Sequence, residues 1–159
     1  MKNLKNIRYG VILVVLIFCW KISGAAGGSI DSLSIKFVNP IIGDDSLCEL
    51  SFVVTDTLAP DAVFVVTFPN GFDVSGVQIA GSRTINGGFF VSVVGQKVTI
   101  RRQGVGRRIL PGKKLDLSFS TVMNARVPGD YAVTVEIQDA TGSKIGGPTE
   151  GLVSITPKR

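Results

Sequence analysis

Alternation of apolar and polar positions, not a helical period, organises this chain. The densest stretch is Asp61 to Phe72, where Ala62, Phe64, Val66 and Phe68 fall on one side of an extended strand and Val63, Val65 and Thr67 on the other. An apolar run rich in β-branched and aromatic residues reads as a central strand buried on both faces. Proline cannot donate to a ladder and Asn-Gly accepts positive φ, so Pro69-Asn70-Gly71 stops the strand by its chemistry.

The same reading along the chain predicts further strands around this one. Leu33 to Val38 alternates as a first strand and ends at Asn39-Pro40. After the turn Gly43-Asp44-Asp45-Ser46, Leu47 to Thr55 forms a second, with Cys48, Leu50, Phe52 and Val54 inward and Glu49 and Ser51 outward. A glycine-rich region follows, with a short strand over Val77 to Ala80 and a polar loop over Gly81 to Gly88. Phe89 to Val94 and Lys97 to Arg102 pair through the tight turn Gly95-Gln96, with Val98 and Ile100 on one face and Thr99 and Arg101 on the other. Leu115, Leu117 and Phe119, then Tyr131, Val133, Val135 and Ile137, mark two half-buried strands, and Leu152 to Thr156 closes the set after the turn Asp139-Ala140-Thr141-Gly142-Ser143. Connections this short leave no room for crossover helices. Eight to ten short strands at this spacing predict an all-β fold, an immunoglobulin-like antiparallel β-sandwich.

The first residues break the pattern. Lys2, Lys5 and Arg8 precede an apolar run from Val11 to Trp20, and Ser23, Gly24, Ala25 and Ala26 follow, which is the layout of a secretory signal peptide. Cleavage is expected after Ala25, with Ala26 as the second choice, leaving one sandwich domain over 26–159. Membrane contact is then expected only through the leader, before cleavage. Loss of Lys2, Lys5, Arg8 and Lys21 takes the 17 basic residues to 13 against 12 acidic ones, a net charge of about +1. The basic balance of the whole chain belongs largely to the leader, which removes the compositional case for a general polyanion binder. Cys19 lies inside the apolar run behind Leu16-Ile17-Phe18, without the small residues a lipoprotein signal requires. Cys48 alone remains in the exported chain, so no internal disulfide is expected; a buried thiol is one reading and an intermolecular bridge the other.

Candidate chemistry is sparse. The chain has no histidine, which excludes Ser-His and Cys-His nucleophiles and most zinc sites. A pair of carboxylates could still hydrolyse glycosides, but Glu49 and Glu136 fall on outward faces of regular strands and only Glu150 is left among the glutamates. The expectation is a protein that is not an enzyme and has no cofactor. Asp44, Asp45 and Asp139 cluster oxygen ligands in turns and are the calcium candidates, although turn chemistry explains the same residues and no metal site is assigned. Arg101, Arg102, Arg107, Arg108, Lys113 and Lys114 lie within fourteen positions, with no acid until Asp116, and form the candidate ligand or partner surface. They lack interleaved aromatics, so nucleic acid is not the expected partner. Phe72, Phe89 and Phe90 are the remaining candidates for a sugar-stacking platform once Trp20 and Tyr9 leave with the leader. Tyr131 after Gly129-Asp130 fits a tyrosine corner.

The strand running into Phe68-Pro69-Asn70-Gly71-Phe72, the strand Val98-Thr99-Ile100, the unit Ile109-Leu110-Pro111-Gly112-Lys113-Lys114-Leu115-Asp116-Leu117, and Asn124 followed by Pro128-Gly129-Asp130-Tyr131 and Asp139-Ala140-Thr141-Gly142 together resemble the immunoglobulin-like modules of prokaryotic surface and secreted proteins. The likeness runs from Leu33 to Ile155, and those modules usually have Asn-Pro where this chain has Asn124-Ala125. The outline is also similar to cohesin and carbohydrate-binding sandwiches. The resemblance implies a secreted, periplasmic or cell-surface protein with a structural or adhesive role, whose partners are other surface proteins or acidic glycans. Two other roles stay open: glycan binding through the basic hairpin, and a filament subunit that donates Leu33 to Val38 to a neighbour's sheet edge.

Overall fold

The computed structural model describes residues 30–145 and 148–159. The expected signal peptide lies outside the described residues. Nine strands appear in chain order: β1 (Ile30–Phe37), β2 (Asp45–Val54), β3 (Val63–Thr67), β4 (Ile79–Gly81), β5 (Phe89–Val94), β6 (Lys97–Arg102), β7 (Lys114–Met123), β8 (Gly129–Gln138) and β9 (Thr149–Ile155). They form two antiparallel sheets, one ordered β1-β2-β7-β4 and the other β5-β6-β3-β8-β9. The result is the immunoglobulin-like sandwich that the alternation implies.

β3 is central in the larger sheet, flanked by β6 and β8. Ala62, Phe64 and Val66 have no exposure and face the other layer, while Val63 and Val65 are also buried on the outer face, between long polar neighbours of β6 and β8. The strand ends at Thr67, earlier than the apolar run suggests. Phe68 keeps one more ladder bond, its N–H donating to Gln96 O at 2.9 Å, and with Phe72 it stays buried beside Phe37, Phe119 and Tyr131, closing one end of the core. Phe37 stacks on Phe72 at 5.7 Å, and Tyr131 meets Phe72 edge-on at 5.1 Å. The Tyr131 hydroxyl donates to Val127 O at 2.7 Å, which makes the tyrosine corner.

Cys48, Leu50, Phe52 and Val54 of β2 oppose Phe119, Leu117 and Leu115 of β7, and all seven are buried. Burial pushes the Cys48 thiol well above its ordinary range, so it is an inert packing group. β1 begins at Ile30, three residues before the expected start, and pairs with β2 of its own sheet. A register shift between Asp31 and Ser34, with Ser32 at φ 53°, interrupts its edge. Beyond β1 the chain crosses to the other layer. Ile42 N–H donates to Thr156 O at 2.9 Å and Thr156 N–H to Pro40 O at 2.7 Å, a parallel strap along the end of β9. Asn124 holds it in place, donating from Nδ2 to Asn39 O at 2.6 Å and Ile41 O at 2.7 Å.

Candidate binding surface

The structure divides the basic group of Arg101 to Lys114. Arg101 stands on the outer face of the five-stranded sheet, in the row of Phe90, Val63 and Gln138. Lys114 stands beside Val53 on the outer face of the other sheet. The loop from β6 to β7 carries Arg107, Arg108 and Lys113 around the end of the sandwich between them. Their five side chains are exposed and make no hydrogen bond or ion pair among the described residues. They form a basic rim, not a patch on one face.

Arg102 is not part of that rim. It continues the inward phase of Val98 and Ile100 and is 2 % exposed. Its guanidinium donates to Ala59 O at 2.5 Å and Arg107 O at 2.7 Å, with a longer contact to Asn86 O at 3.5 Å. Asn86 in turn accepts the Arg107 N–H on Oδ1 at 2.9 Å. A Cβ on Gly106 would stand 2.3 Å from Asn86 O and 2.7 Å from an Arg102 nitrogen, so only glycine lets the loop close over this centre. Burial lowers the Arg102 pKa and the Asp61 carboxylate partly offsets it. Arg102 therefore pins three loops together and shapes the segment that presents Arg107 and Arg108.

An open groove of about 770 Å³ lies over the outer face of the four-stranded sheet. Its floor is polar because the outward positions of adjacent strands align: Ser34 pairs Ser51, Ser51 pairs Asp116, Lys36 pairs Glu49, and Glu49 pairs Ser118. Loop residues Ser82, Arg83 and Thr84 form one wall, held by Asp116. The Asp116 carboxylate accepts from Thr84 Oγ1 at 2.6 Å, Arg83 Nε at 2.8 Å, Thr84 N at 2.9 Å and Ser82 Oγ at 3.1 Å. Partial burial pushes its pKa up, and the hydrogen bonds from Thr84, Arg83 and Ser82 outweigh that and hold it well below the usual carboxylate range. Of the six basic residues read from the sequence, only Lys114 reaches this groove. The outward phase of Glu49, Ser51, Asp116 and Ser118 was the available signal for its floor.

The calcium candidates are engaged locally. Asp44 pairs with Lys158 Nζ at 2.8 Å, while Asp139 accepts Thr141 Oγ1 at 2.6 Å and the Thr141 and Ser143 amides at 2.9 Å each. Asp45 opens β2 on the surface. Among the described residues no group of three acidic, histidine or cysteine side chains is placed to hold a metal ion. Glu136 pairs with Lys144 Nζ at 2.9 Å, and Glu150 lies exposed on β9. Of the aromatic candidates, Phe72 is buried, Phe89 half-buried and Phe90 exposed.

No family model matches this chain, and no curated protein sequence does. Among solved structures it is similar to a cohesin module from a Clostridium perfringens family 33 glycoside hydrolase, at 15 % identity and a TM-score of 0.51, covering 82 % of this chain and 99 % of that one. A chain of the CaDoc0917–CaCohA2 complex matches at 18 % identity and a TM-score of 0.51, over 78 % and 98 %. BslA, described as a bacterial hydrophobin, matches at 16 % identity and a TM-score of 0.50, over 83 % and 99 %. The resemblance to cohesins and immunoglobulin-like surface modules thus holds at the level of the fold.

Proposed function

We propose that this chain is an exported, non-enzymatic module of a prokaryotic cell surface, structural or adhesive in role. The state of its carboxylates carries the reading. Asp44, Asp73, Asp116, Glu136 and Asp139 are each held in local hydrogen bonds or ion pairs that lower their pKa, the reverse of what a general acid at neutral pH requires. The arginines and lysines of the rim are exposed and make no hydrogen bond or ion pair among the described residues, so they are available to a partner. That the same sandwich serves as a cohesin module and as a bacterial hydrophobin in proteins it resembles supports a role in attachment or assembly. Fractionation of cells expressing the tagged chain tests the proposal: recovery in the exported fraction supports it, and recovery in the cytoplasm overturns it.

A second reading, glycan binding at the basic rim, is favoured by one observation: Arg107 and Arg108 sit unpaired on a loop that Arg102 and Asn86 hold in shape. An array of acidic and neutral glycans distinguishes the two readings. Saturable binding that disappears in the Arg107→Ala, Arg108→Ala double variant supports glycan recognition, and a blank array with a folded protein removes it.

A further inference from the structure

The two sheets present four edges, and three of them are blunted. β1 carries Asp31 and Lys36, together with the register shift and the left-handed Ser32. β4 is only three residues long. β9 carries Glu150 after Pro148 and is covered at its end by the Pro40–Ile42 strap. Lysines, prolines, bulges, short strands and covering segments are the devices by which sheets prevent edge-to-edge pairing. β5, Phe-Phe-Val-Ser-Val-Val, has no charge, proline or register shift; β4 of the other sheet packs beside it, but its ladder pairs with β6 alone.

Its free peptide groups can be identified. Gln103 N–H donates to Gly88 O at 3.0 Å, and Phe89 to Val94 pair with Arg102 to Lys97 in unbroken register. The alternation of an antiparallel ladder then bonds Phe90, Ser92 and Val94 to β6, and turns the N–H and C=O groups of Phe89, Val91 and Val93 toward the open edge, where Phe89 O takes a long bond from the exposed Gln103 side chain, Nε2 donating at 3.5 Å. On the outer face Phe90 is 62 % and Val94 80 % exposed.

We propose that β5 is a self-association edge that takes β5 of a second copy of this chain, antiparallel and centred on Val91, joining two five-stranded sheets into one. The outward groups at 89, 91 and 93 are symmetric about Val91, so one register satisfies all of them, with the long Gln103 side-chain bond to Phe89 O displaced: Val91 opposite Val91 of the second copy, and Phe89 opposite its Val93. On the outer face Phe90 then lies against Ser92 of the second copy. Charge permits this register. Arg101 shares a row with Phe90 and so meets the row of Thr99 across the seam, while Lys97, in the row of Val94, meets the row of Gln103. Neither cation faces its own copy. Such a contact is isologous and closes as a dimer, unlike the open filament that donation of Leu33 to Val38 would build. The other three edges being blunted, the matching unblunted edge is the one on a second copy.

Sedimentation of the purified protein over a range of concentrations, with amide hydrogen exchange, tests this. The expected result is a reversible step to twice the mass of one chain, with Val91 and Val93 amides gaining protection as dimer forms. Phe90→Lys, on an exposed side chain, weakens association at least about tenfold by placing a charge on the seam. Val91→Pro does the same by removing an outward N–H that β6 does not use. Leu152→Lys, on the equally exposed apolar position of β9, leaves association unchanged. A single-chain mass up to millimolar concentration overturns the proposal. So does association that Leu152→Lys abolishes, or concentration-dependent protection of β9 amides in place of those of β5.

Discussion

Gly151 lies directly beneath Ile35: a Cβ at position 151 would stand 2.7 Å from both Cδ1 and Cγ1 of the Ile35 side chain. The two residues come from β9 and β1, at the margin where the sandwich closes. Gly151 sits on the inward phase of β9 with Val153 and Ile155, and its missing side chain is the space that Ile35 fills. Gly151→Val is expected to force the layers apart at this margin and lose about 1–3 kcal/mol. Urea unfolding measures the loss, and Ile35→Ala in the same chain recovers part of the overlap at the cost of a cavity.

The tyrosine corner can be tested separately. Tyr131→Phe keeps the ring against Phe72 and deletes only the donor to Val127 O. The expected loss is about 1 kcal/mol, the net worth of one hydrogen bond, seen as a lower urea midpoint with an unchanged slope.

Asp116 predicts an acid-side loss. Its folded pKa is depressed below the ordinary aspartate value of about 4, so its contribution is complete above that value and falls away as pH drops beneath it. Between pH 6 and pH 2 the stability of the native protein should fall more steeply than that of Asp116→Ala. In that variant loop amides of Arg83 and Thr84 lose their acceptor at every pH and exchange faster.

Removal of Arg102 should be felt in all the loops it ties. Arg102→Ala leaves the carbonyls of Ala59 and Arg107 without their donor in a buried site, an expected loss of about 3 kcal/mol. Arg102→Lys restores the charge but not the fork that spans two carbonyls, so it recovers only part. Limited proteolysis should then cut within 103–108 before any strand.

Most of the architecture was legible because alternation is local. The ends of β5 and β6 coincide with the expected ones, since Gly95-Gln96 fixes a two-residue turn and both strands count back from it. Charge alone places Arg102 at the surface, whereas its phase, two positions beyond the buried Ile100, places it inward. In this strand the phase decided burial, and three backbone carbonyls supplied what a carboxylate would have. Asp116 stands on the outward phase between the buried Leu115 and Leu117. Its partners at 82–84 lie more than thirty positions away, and no local pattern marks them. The groove and the Pro40–Ile42 strap were hidden for the same reason, each being made by segments that meet only after the layers stack.

The strap also has a mechanical consequence. Thr156, near the chain's last residues, runs parallel to Ile41, while Ile30 lies a full strand away, about 25 Å back along β1. Tension applied between Ile30 and the segment after Thr156 pulls these parallel segments along their own length in opposite directions. The bonds Ile42 N–H to Thr156 O and Thr156 N–H to Pro40 O are then loaded in shear, together, and not peeled one after another. A domain pulled from its ends in this geometry yields at a higher force than one unzipped from a hairpin.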